Sequence, residues 1–270
     1  MSTFKALLTI ALSSQVLLAE AVQQGDKTAS AVTYRKVEHK AFVAGEELRY
    51  RMHYGFVDAG EAVLKVKECD KKINERKLLH VEGTGRTISA FDWFYVVRDR
   101  YESYIDSEGV FPWLFVRRVN EGGYIINQDY TYLQHKKKVD NGEGTSFDIP
   151  EAAQDMISAF YYARTLDFTN AKKGDEFTIP VFYDDTNFPL KIRYMGKETI
   201  KLRMGKFKCI KFAPVVEKGR VFKTEDDLSV WISDDQNKIP LLAKAKILVG
   251  SIKMEVVEYK NLAGPISEVK

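Results

Sequence analysis

Residues 48–56 read LRYRMHYGF, and this stretch decides the fold class. Its apolar and aromatic side chains occupy the even-numbered positions, whereas its basic side chains occupy odd-numbered ones. Successive side chains of a β-strand point to opposite faces of the sheet, so an alternation of period two predicts a half-buried strand.

The same alternation recurs along most of the chain. Residues 64–67, 124–132 and 252–256 also place apolar or aromatic side chains on one parity and polar ones mainly on the other. Turn-forming residues separate such runs, among them Asp140-Asn141-Gly142, Met204-Gly205 and Lys218-Gly219. These short connections favour antiparallel hairpins over strand–helix–strand units. The sequence therefore predicts an all-β fold of antiparallel curved sheets or an open barrel.

Two pairs of segments recur in the same order and predict two similar halves. Residues 99–112 (DRYESYIDSEGVFP) are similar to residues 226–240 (DDLSVWISDDQNKIP). Upstream of each, residues 60–66 (GEAVLKV) are similar to residues 196–202 (GKETIKL). Internal repetition indicates a repeated architecture, whereas coincidence among similar strand patterns is the alternative.

One α-helix is predicted between the halves. Asp148 can cap it and Pro150 suits its first turn. An apolar stripe with helical spacing follows, formed by Met156, Ile157, Phe160 and Tyr161.

The predicted organisation is a signal peptide (1–21), an N-terminal extension (22–41), a first β half (42–140), a linker with the helix (141–174), a second β half (175–262) and a tail (263–270).

The first 21 residues have the layout of a secretory signal peptide. Lys5 supplies the positive start, residues 6–18 are largely apolar, and Ala19-Glu20-Ala21 forms an A-x-A cleavage site. We expect cleavage after Ala21 and a periplasmic or secreted mature protein. An uncleaved membrane anchor is the alternative, although the apolar stretch is shorter than the roughly 20 residues that a transmembrane helix needs.

Composition and patterning exclude several partners. With 41 Lys and Arg against 38 Asp and Glu, the net charge of +3 gives no electrostatic reason to expect nucleic acid. No later segment is long and apolar enough to span a bilayer as a helix. Lys65 and Lys67 also lie on the parity that would face lipid, so the exported chain is not expected to span a membrane. The oligomeric state is left open.

The chain contains two cysteines, Cys69 and Cys209. Export would place them in an oxidising compartment, so they are a disulfide candidate. Cys209 also lies between Phe207 and Ile210 in an apolar run, and a buried free thiol is the alternative.

A family resemblance covers nearly the whole chain after the signal peptide. Its clearest motifs are GEELRY (45–50), YGFVDAGE (54–61), RDRYESYID (98–106) and VNEGGY (119–124). In these motifs the chain resembles a family of exported bacterial proteins catalogued as a domain of unknown function. The resemblance implies an all-β fold in the cell envelope and no assigned catalytic residues. The WISDD turn (231–235) is more loosely similar to periplasmic lipoprotein carriers, in which a curved sheet wraps an apolar cavity.

A cluster of charged and aromatic residues is the candidate binding site. Asp99 shares its strand parity with Val97 and Tyr101, which places a carboxylate among apolar side chains. Arg117 or Arg118 could pair with it, either to anchor a ligand head group or to hold the strand register. The predicted ligand-binding residues are Asp99, Tyr101, Arg117, Arg118, Glu121, Trp93 and Trp113. The aromatic side chains either line a pocket or fill a core.

No motif predicts a catalytic centre, a metal site or a cofactor. The four histidines lack metal-binding spacing, and no nucleophile elbow occurs. Residues 83–86 (GTGR) lack the length and the Lys of a phosphate loop and predict a strand-end turn. The acidic pairs Asp184-Asp185, Asp226-Asp227 and Asp234-Asp235 also predict turns.

The leading hypothesis is an exported cell-envelope protein that binds or carries an amphipathic lipid or glycan-type ligand without catalysing a reaction. The second is an envelope hydrolase that cleaves glycans with carboxylates such as Asp99 and Glu121. The third is a structural partner protein.

Overall fold

The computed structural model describes residues 32–215, 228–246 and 251–269. The predicted signal peptide, the start of the N-terminal extension, the Lys218-Gly219 turn and the Asp226-Asp227 pair lie outside these described residues. The chain divides into residues 1–34 and a compact unit of residues 35–270, and the elements below belong to the compact unit.

The described residues form fifteen strands, two α-helices and one 3₁₀ turn, Gln134–Lys136. The helices are α1 (Ser89–Asp92) and α2 (Met156–Thr165). The strands are β1 (Glu47–Tyr54), β2 (Val57–Ile73), β3 (Arg76–Thr87), β4 (Arg98–Asp106), β5 (Pro112–Glu121), β6 (Tyr124–Leu133), β7 (Lys138–Asp140), β8 (Ser146–Asp148), β9 (Glu176–Tyr183), β10 (Thr186–Leu202), β11 (Gly205–Pro214), β12 (Leu228–Ser233), β13 (Pro240–Lys246), β14 (Ser251–Lys260) and β15 (Glu268–Val269).

All fifteen strands belong to one antiparallel sheet that does not close on itself. Its order is β8-β7-β6-β5-β4-β3-β2-β1-β14-β13-β12-β11-β10-β9, and β15 pairs with β11. Strand β1 pairs with both β2 and β14, so two series of consecutive hairpins meet at β1 and β14. The predicted all-β fold is confirmed, and α2 is the helix predicted between the two series.

Helix α2 lies against the inner face of a curled sheet. It contacts both β4 and β9, which are far apart in the strand order, so the sheet must curve around it. The segment before α2 also reaches the β9 edge, because the Gln154 amide donates to the Pro180 carbonyl at 2.8 Å and the Gln154 carbonyl accepts from Phe182 at 2.8 Å. The inner face between α2 and the strands therefore holds the core.

The N-terminal cap of α2 is Asp155 rather than the predicted Asp148. The Asp155 carboxylate accepts from the backbone amides of Ile157 and Ser158, each at 2.7 Å, and Ser158 completes a capping box. Asp148 ends β8, because the residues that follow it first run to the β9 edge. Met156 of the predicted apolar stripe is partly exposed, whereas the rest of the stripe packs into the core.

A buried ion pair fastens the C-terminal end of α2 to the sheet. Both ends of the Arg164 guanidinium donate to the Glu46 carboxylate, at 2.6 and 2.7 Å. The same guanidinium donates to the carbonyls of Ala41 and Asn237. A buried charge pair needs such extra hydrogen bonds, because desolvation otherwise outweighs the attraction.

Two details of the sequence analysis need correction. Residues 83–86 do not form a strand-end turn but lie inside β3, where they pair with β2 and β4. Cys69 and Cys209 are both free thiols, because four strands separate β2 from β11 in the sheet. Burial raises the pKa of the Cys209 thiol to about 12.

The β4–β5 and β12–β13 turns share a hydrogen-bond pattern. The Asp106 amide donates to the Phe111 carbonyl at 2.8 Å, and the Ser233 amide donates to the Ile239 carbonyl at 2.8 Å. The residue before each acceptor, Val110 or Lys238, has positive φ. The similarity supports an internal repeat, although the duplication and the domain boundaries stay predictions.

Candidate functional site

A cavity of about 380 Å³ lies between α2 and the inner face of β1 to β4, and we call it the first pocket. Apolar side chains form its walls, among them Met52, Leu64 and Ile157. Its floor consists of small residues on β2 and β3: Gly60, Ala62, Gly83 and Gly85. Its polar lining includes Asp99, Tyr101 and Glu121.

The glycines of the floor leave the first pocket open. A Cβ atom on Gly83 would approach Leu64 Cδ2 at 3.0 Å and Ile157 Cδ1 at 3.3 Å, so the helix packs closely there. At Gly85 the nearest atom would be Asp99 Cβ at 3.9 Å. A side chain at position 85 would therefore project into the pocket without a backbone clash.

Strand register brings two carboxyl groups together at the pocket. Asp99 lies opposite Gly85, and a β-bridge between Val97 and Glu121 places Glu121 beside it. The backbone amide of Asn120 donates to Asp99 Oδ1 at 3.1 Å. Burial raises the pKa of Glu121, and the charge of Asp99 and a hydrogen bond to it raise that pKa further. Glu121 can therefore hold a proton under milder acid than an isolated glutamate would need.

Tyr101 supplies a phenol to the same lining. It lies opposite Gly83 on one side and Arg117 on the other. Burial raises the pKa of Tyr101, and the nearby Asp99 charge acts in the same direction. The phenol therefore stays protonated at neutral pH and can donate a hydrogen bond to a ligand.

The predicted pairing of Asp99 with Arg117 or Arg118 is wrong. Arg117 is buried and donates to Asp184 Oδ1 at 2.6 Å, where its guanidinium also stacks over the Tyr183 ring. The Arg118 guanidinium forms a bidentate ion pair with the Asp129 carboxylate, with N–O distances of 2.6 and 3.0 Å. These partners come from the β9–β10 turn and from β6, which the curled sheet and the hairpin bring close to β5.

The two predicted tryptophans lie outside the first pocket. Trp113 is 3% exposed, and its indole Nε1 donates to Asp106 Oδ2 at 3.2 Å in the β4–β5 region. Trp93 is 84% exposed and follows α1 in the β3–β4 connection. The structure thus brings Asp99, Tyr101 and Glu121 together but separates them from the two tryptophans.

A second cavity of about 230 Å³ lies on another face of α2, and we call it the second pocket. Helix residues Ala159 and Ala163 line it together with large side chains such as Phe168 and Phe212. Its charged lining residues are Arg164 and Lys238. The first pocket also includes one basic residue, Arg86, but it differs in having the carboxyl groups of Asp99 and Glu121 in its lining.

The glycine floor is the feature that the sequence analysis missed. Gly83 and Gly85 share one parity, opposite Leu64 and Ala62 on β2. Paired glycines inside a strand often mark the close approach of another group, and this signal could have identified the floor. Within the described part of the chain, no three His, Cys, Asp or Glu side chains are grouped to hold a metal ion. None of the described helices is long and apolar enough to cross a membrane.

One solved structure shows similarity at the level of the fold, and two others match with lower TM-scores. A Brucella abortus protein, described as a beta-barrel-like protein of domain of unknown function DUF1849, matches with a TM-score of 0.53 and 12% identity, over 84% of this chain and 99% of that chain. A candidate lipoprotein from Parabacteroides distasonis has a TM-score of 0.36 and 12% identity, over 84% of this chain and 100% of its own. An exported-protein candidate from Bacteroides fragilis with a YmcC-like fold has a TM-score of 0.31 and 10% identity, over 85% of this chain and 100% of its own.

No curated protein is similar enough to match this chain. The model of a family described as protein of unknown function (DUF3108) matches residues 49–257. This region extends from β1 to β14 and includes all the residues named for the first pocket. Since the match covers more than half of the chain, the protein belongs to the DUF3108 family.

Proposed function

We propose that this chain is an exported cell-envelope protein that binds or carries an amphipathic ligand in the first pocket. The apolar part of the ligand would lie over the glycine floor, and its head group would meet Asp99, Tyr101 and Glu121. The observation that carries this proposal is the open space over Gly85, directly beside the carboxyl pair.

The composition of the pocket supports binding of a small amphipathic molecule. Ligand sites are mostly apolar clefts of about 300–1,000 Å³ with a few placed polar groups. Two carboxyl groups and a phenol accept and donate hydrogen bonds, which favours a head group with hydroxyl or amine functions. An anionic head group would be repelled by Asp99 and Glu121 unless it brought a proton.

The position of the carboxyl pair supports binding over glycan hydrolysis. Glycosidases place two carboxyl groups about 5–9.5 Å apart, on either side of the bond that breaks. Asp99 and Glu121 instead lie on the neighbouring strands β4 and β5, at the same side of the pocket. For this reason we prefer the carrier.

Export is the second component of the proposal. Residues 1–21 have the layout of a cleavable signal peptide, and the mature chain would begin at Val22. The intact mass of the protein recovered from the cell envelope or the medium tests this component. A mass that still includes Met1 to Ala21 would contradict cleavage.

The binding component is tested by filling the pocket from its floor. Gly85→Leu adds a side chain to the pocket face of β3, whereas Thr131→Leu adds the same side chain to the exposed face of β6, away from the pocket. We would purify the wild type and both variants from their native host and identify co-purifying molecules by native mass spectrometry. Binding of the uncharged fluorescent probe N-phenylnaphthylamine would be titrated in parallel.

We expect the wild type and Thr131→Leu to retain the same co-purifying ligand and Gly85→Leu to lose it. Thermal unfolding would confirm that both variants are folded. Equal retention by the two variants, or repeated absence of any ligand from the wild type together with no probe binding, would overturn the proposal.

A further inference from the structure

Three turns at one end of the sheet present exposed apolar side chains. They are the β1–β2 turn, the β3–β4 connection and the β5–β6 turn, which antiparallel hairpins place at the same end. We call this set of side chains the apolar tip. Its exposed members are Tyr54, Phe56, Val57, Trp93, Phe94, Tyr95, Val96, Tyr124 and Ile125.

The three turns form one continuous surface. The Ile88 amide donates to the Ala59 carbonyl at 3.1 Å, which joins the first two turns. The Gly122 amide donates to the Val96 carbonyl at 2.8 Å, which joins the second and third. A Cβ atom on Gly122 would approach the Tyr95 ring at 2.5 Å, so the two turns are closely packed.

Residues 54–57, 93–97 and 122–125 carry no charged side chain. Large exposed apolar patches on a folded domain mark an interaction site. Trp, Tyr and Phe are the residues that proteins place at the boundary between lipid head groups and acyl chains. The apolar tip therefore has the composition of a membrane-interface segment.

Four arginines lie directly behind the apolar tip, on the outer face of β3, β4 and β5. Arg86 faces Arg98 across β3 and β4, and Arg100 faces Arg118 across β4 and β5. They line a groove of about 410 Å³ that also includes Ile125 of the tip, and we call it the arginine groove. Like charges directly opposite each other destabilise a sheet, so this arrangement calls for anionic partners.

Each of these four arginines forms an ion pair with one carboxylate of the protein. Within the described residues, Arg86 pairs with Glu61, Arg98 with Asp92, Arg100 with Glu102 and Arg118 with Asp129. The side chains of Arg86, Arg98 and Arg100 nevertheless remain 63%, 45% and 51% exposed. A guanidinium has five N–H donors, so each can also bind a phosphate oxygen.

We propose that the apolar tip and the arginine groove together dock this protein onto a phospholipid membrane. The tip enters the interfacial layer, and the arginines bind the lipid phosphates that lie just above it. Asp99 is the acidic residue of the groove lining. Charge complementarity nevertheless favours a phospholipid surface, because the exposed guanidinium groups of Arg86, Arg98 and Arg100 have N–H donors for lipid phosphates beyond those that face their own carboxylate partners.

The apolar tip is also continuous with the first pocket. Val97 of the β3–β4 connection lines that pocket, together with Ala59, Thr87 and Glu121 at the strand ends next to the three turns. A ligand could therefore pass between the membrane and the pocket without crossing open water. This part of the inference rests on the proposed function, whereas docking itself does not.

Docking can be tested with the full exported protein and vesicles of phosphatidylglycerol and phosphatidylethanolamine, with phosphatidylcholine vesicles as the uncharged comparison. We expect co-sedimentation with the anionic vesicles that weakens as salt is added. The chain has three tryptophans, and Trp113 and Trp231 are buried. A blue shift of tryptophan emission on vesicle addition would therefore report Trp93, and it should be absent in Trp93→Phe, which should still sediment.

Matched variants separate the two parts of the surface. Trp93→Ser with Phe94→Ser should weaken vesicle binding about tenfold or more, whereas Phe188→Ser, an exposed apolar residue of β10, should not. Arg100→Ser with Arg118→Ser should reduce both binding and its salt dependence, whereas Arg193→Ser, which breaks an ion pair with Glu176 on β9, should not.

Three results would overturn docking. The first is that the wild type does not bind anionic vesicles, and the second is that the tip variant binds them as well as its control does. The third is that only the arginine variant loses vesicle binding, whereas the tip variant keeps it. The last result would identify a site for soluble polyanions instead. Gly85→Leu should still bind vesicles, because its new side chain would project beside Asp99 on the pocket face of β3 rather than on the face that carries Arg86. Failure of docking with an intact ligand, and failure of ligand binding with intact docking, are therefore distinguishable.

Discussion

The first and second pockets border the same helix but owe their space to different causes. In the first pocket, Gly83 and Gly85 remove side chains from the floor, and Asp99 and Glu121 supply negative charge. In the second pocket, the space is what remains between large apolar side chains. Of these two pockets, the first combines a floor without side chains with paired carboxyl groups, and its lining reaches the strand ends next to the apolar tip. This difference is why we place the ligand there.

The largest expected effect comes from breaking the buried ion pair at the C-terminal end of α2, where Arg164 lines the second pocket. Glu46→Gln removes the charge that faces the buried Arg164 and should lower the free energy of unfolding by about 3–5 kcal/mol. Guanidinium denaturation measures this loss. The double variant Glu46→Leu with Arg164→Met should lose less, because it leaves no unpaired buried charge. A change below about 1 kcal/mol in Glu46→Gln would contradict this account.

The next effect concerns the end of α2 that borders the first pocket. Burial raises the pKa of Asp155 to about 6 from 3.8, so the folded state binds a proton more readily than the unfolded state. Its contribution to stability is therefore full below about pH 4 and is lost as the pH rises through about 6. Asp155→Asn cannot titrate. The stability of the wild type relative to Asp155→Asn should increase by about 2–3 kcal/mol as the pH falls from 7 to 4.

Unfolding curves recorded across that pH range provide the measurement. Asp148→Asn, at the exposed end of β8, is the matched control and should follow the wild type. Parallel pH profiles for the wild type and Asp155→Asn would show that the cap does not titrate in this range.

A third prediction compares the pockets directly. Gly85→Leu fills the first pocket and should weaken binding of N-phenylnaphthylamine about tenfold, which corresponds to about 1.4 kcal/mol. Ala163→Leu fills the second pocket from the helix side and should change the affinity less than about twofold. Fluorescence titration measures both. The reverse result would move the binding site to the second pocket.

The smallest effect is the influence of Glu121 on the pH dependence of binding. Because burial and Asp99 raise the pKa of Glu121, mild acid should neutralise it and favour the uncharged probe about two- to threefold. Glu121→Gln should bind with the higher affinity at both pH values and flatten the profile. Glu61→Gln, which alters a carboxylate paired with Arg86, is the control. A pH profile unchanged by Glu121→Gln would remove Glu121 from the head-group site.

Part of the site could be predicted because it depends on local patterns. Parity within β4 places Asp99 and Tyr101 on one face, and the structure gives both to the first pocket. The errors concern side-chain partners, one distant in sequence and one only 7 residues away. Arg117 meets Asp184 because the β9–β10 turn folds back over β5, and Trp113 is held by Asp106. Neither of these two side-chain contacts produces a periodic pattern in the sequence.

The sequence by itself determined that this protein is all-β with a helix between two series of strands. That result follows because strand and helix periods come from backbone geometry, which each short segment expresses on its own. The tertiary structure decided which strands meet, since the pairing of β1 with β14 joins residues about 200 positions apart. It also decided that Gly83 and Gly85 face open space rather than another side chain. A glycine leaves a pocket only when the side chains of the surrounding helix and strands do not occupy the space above it.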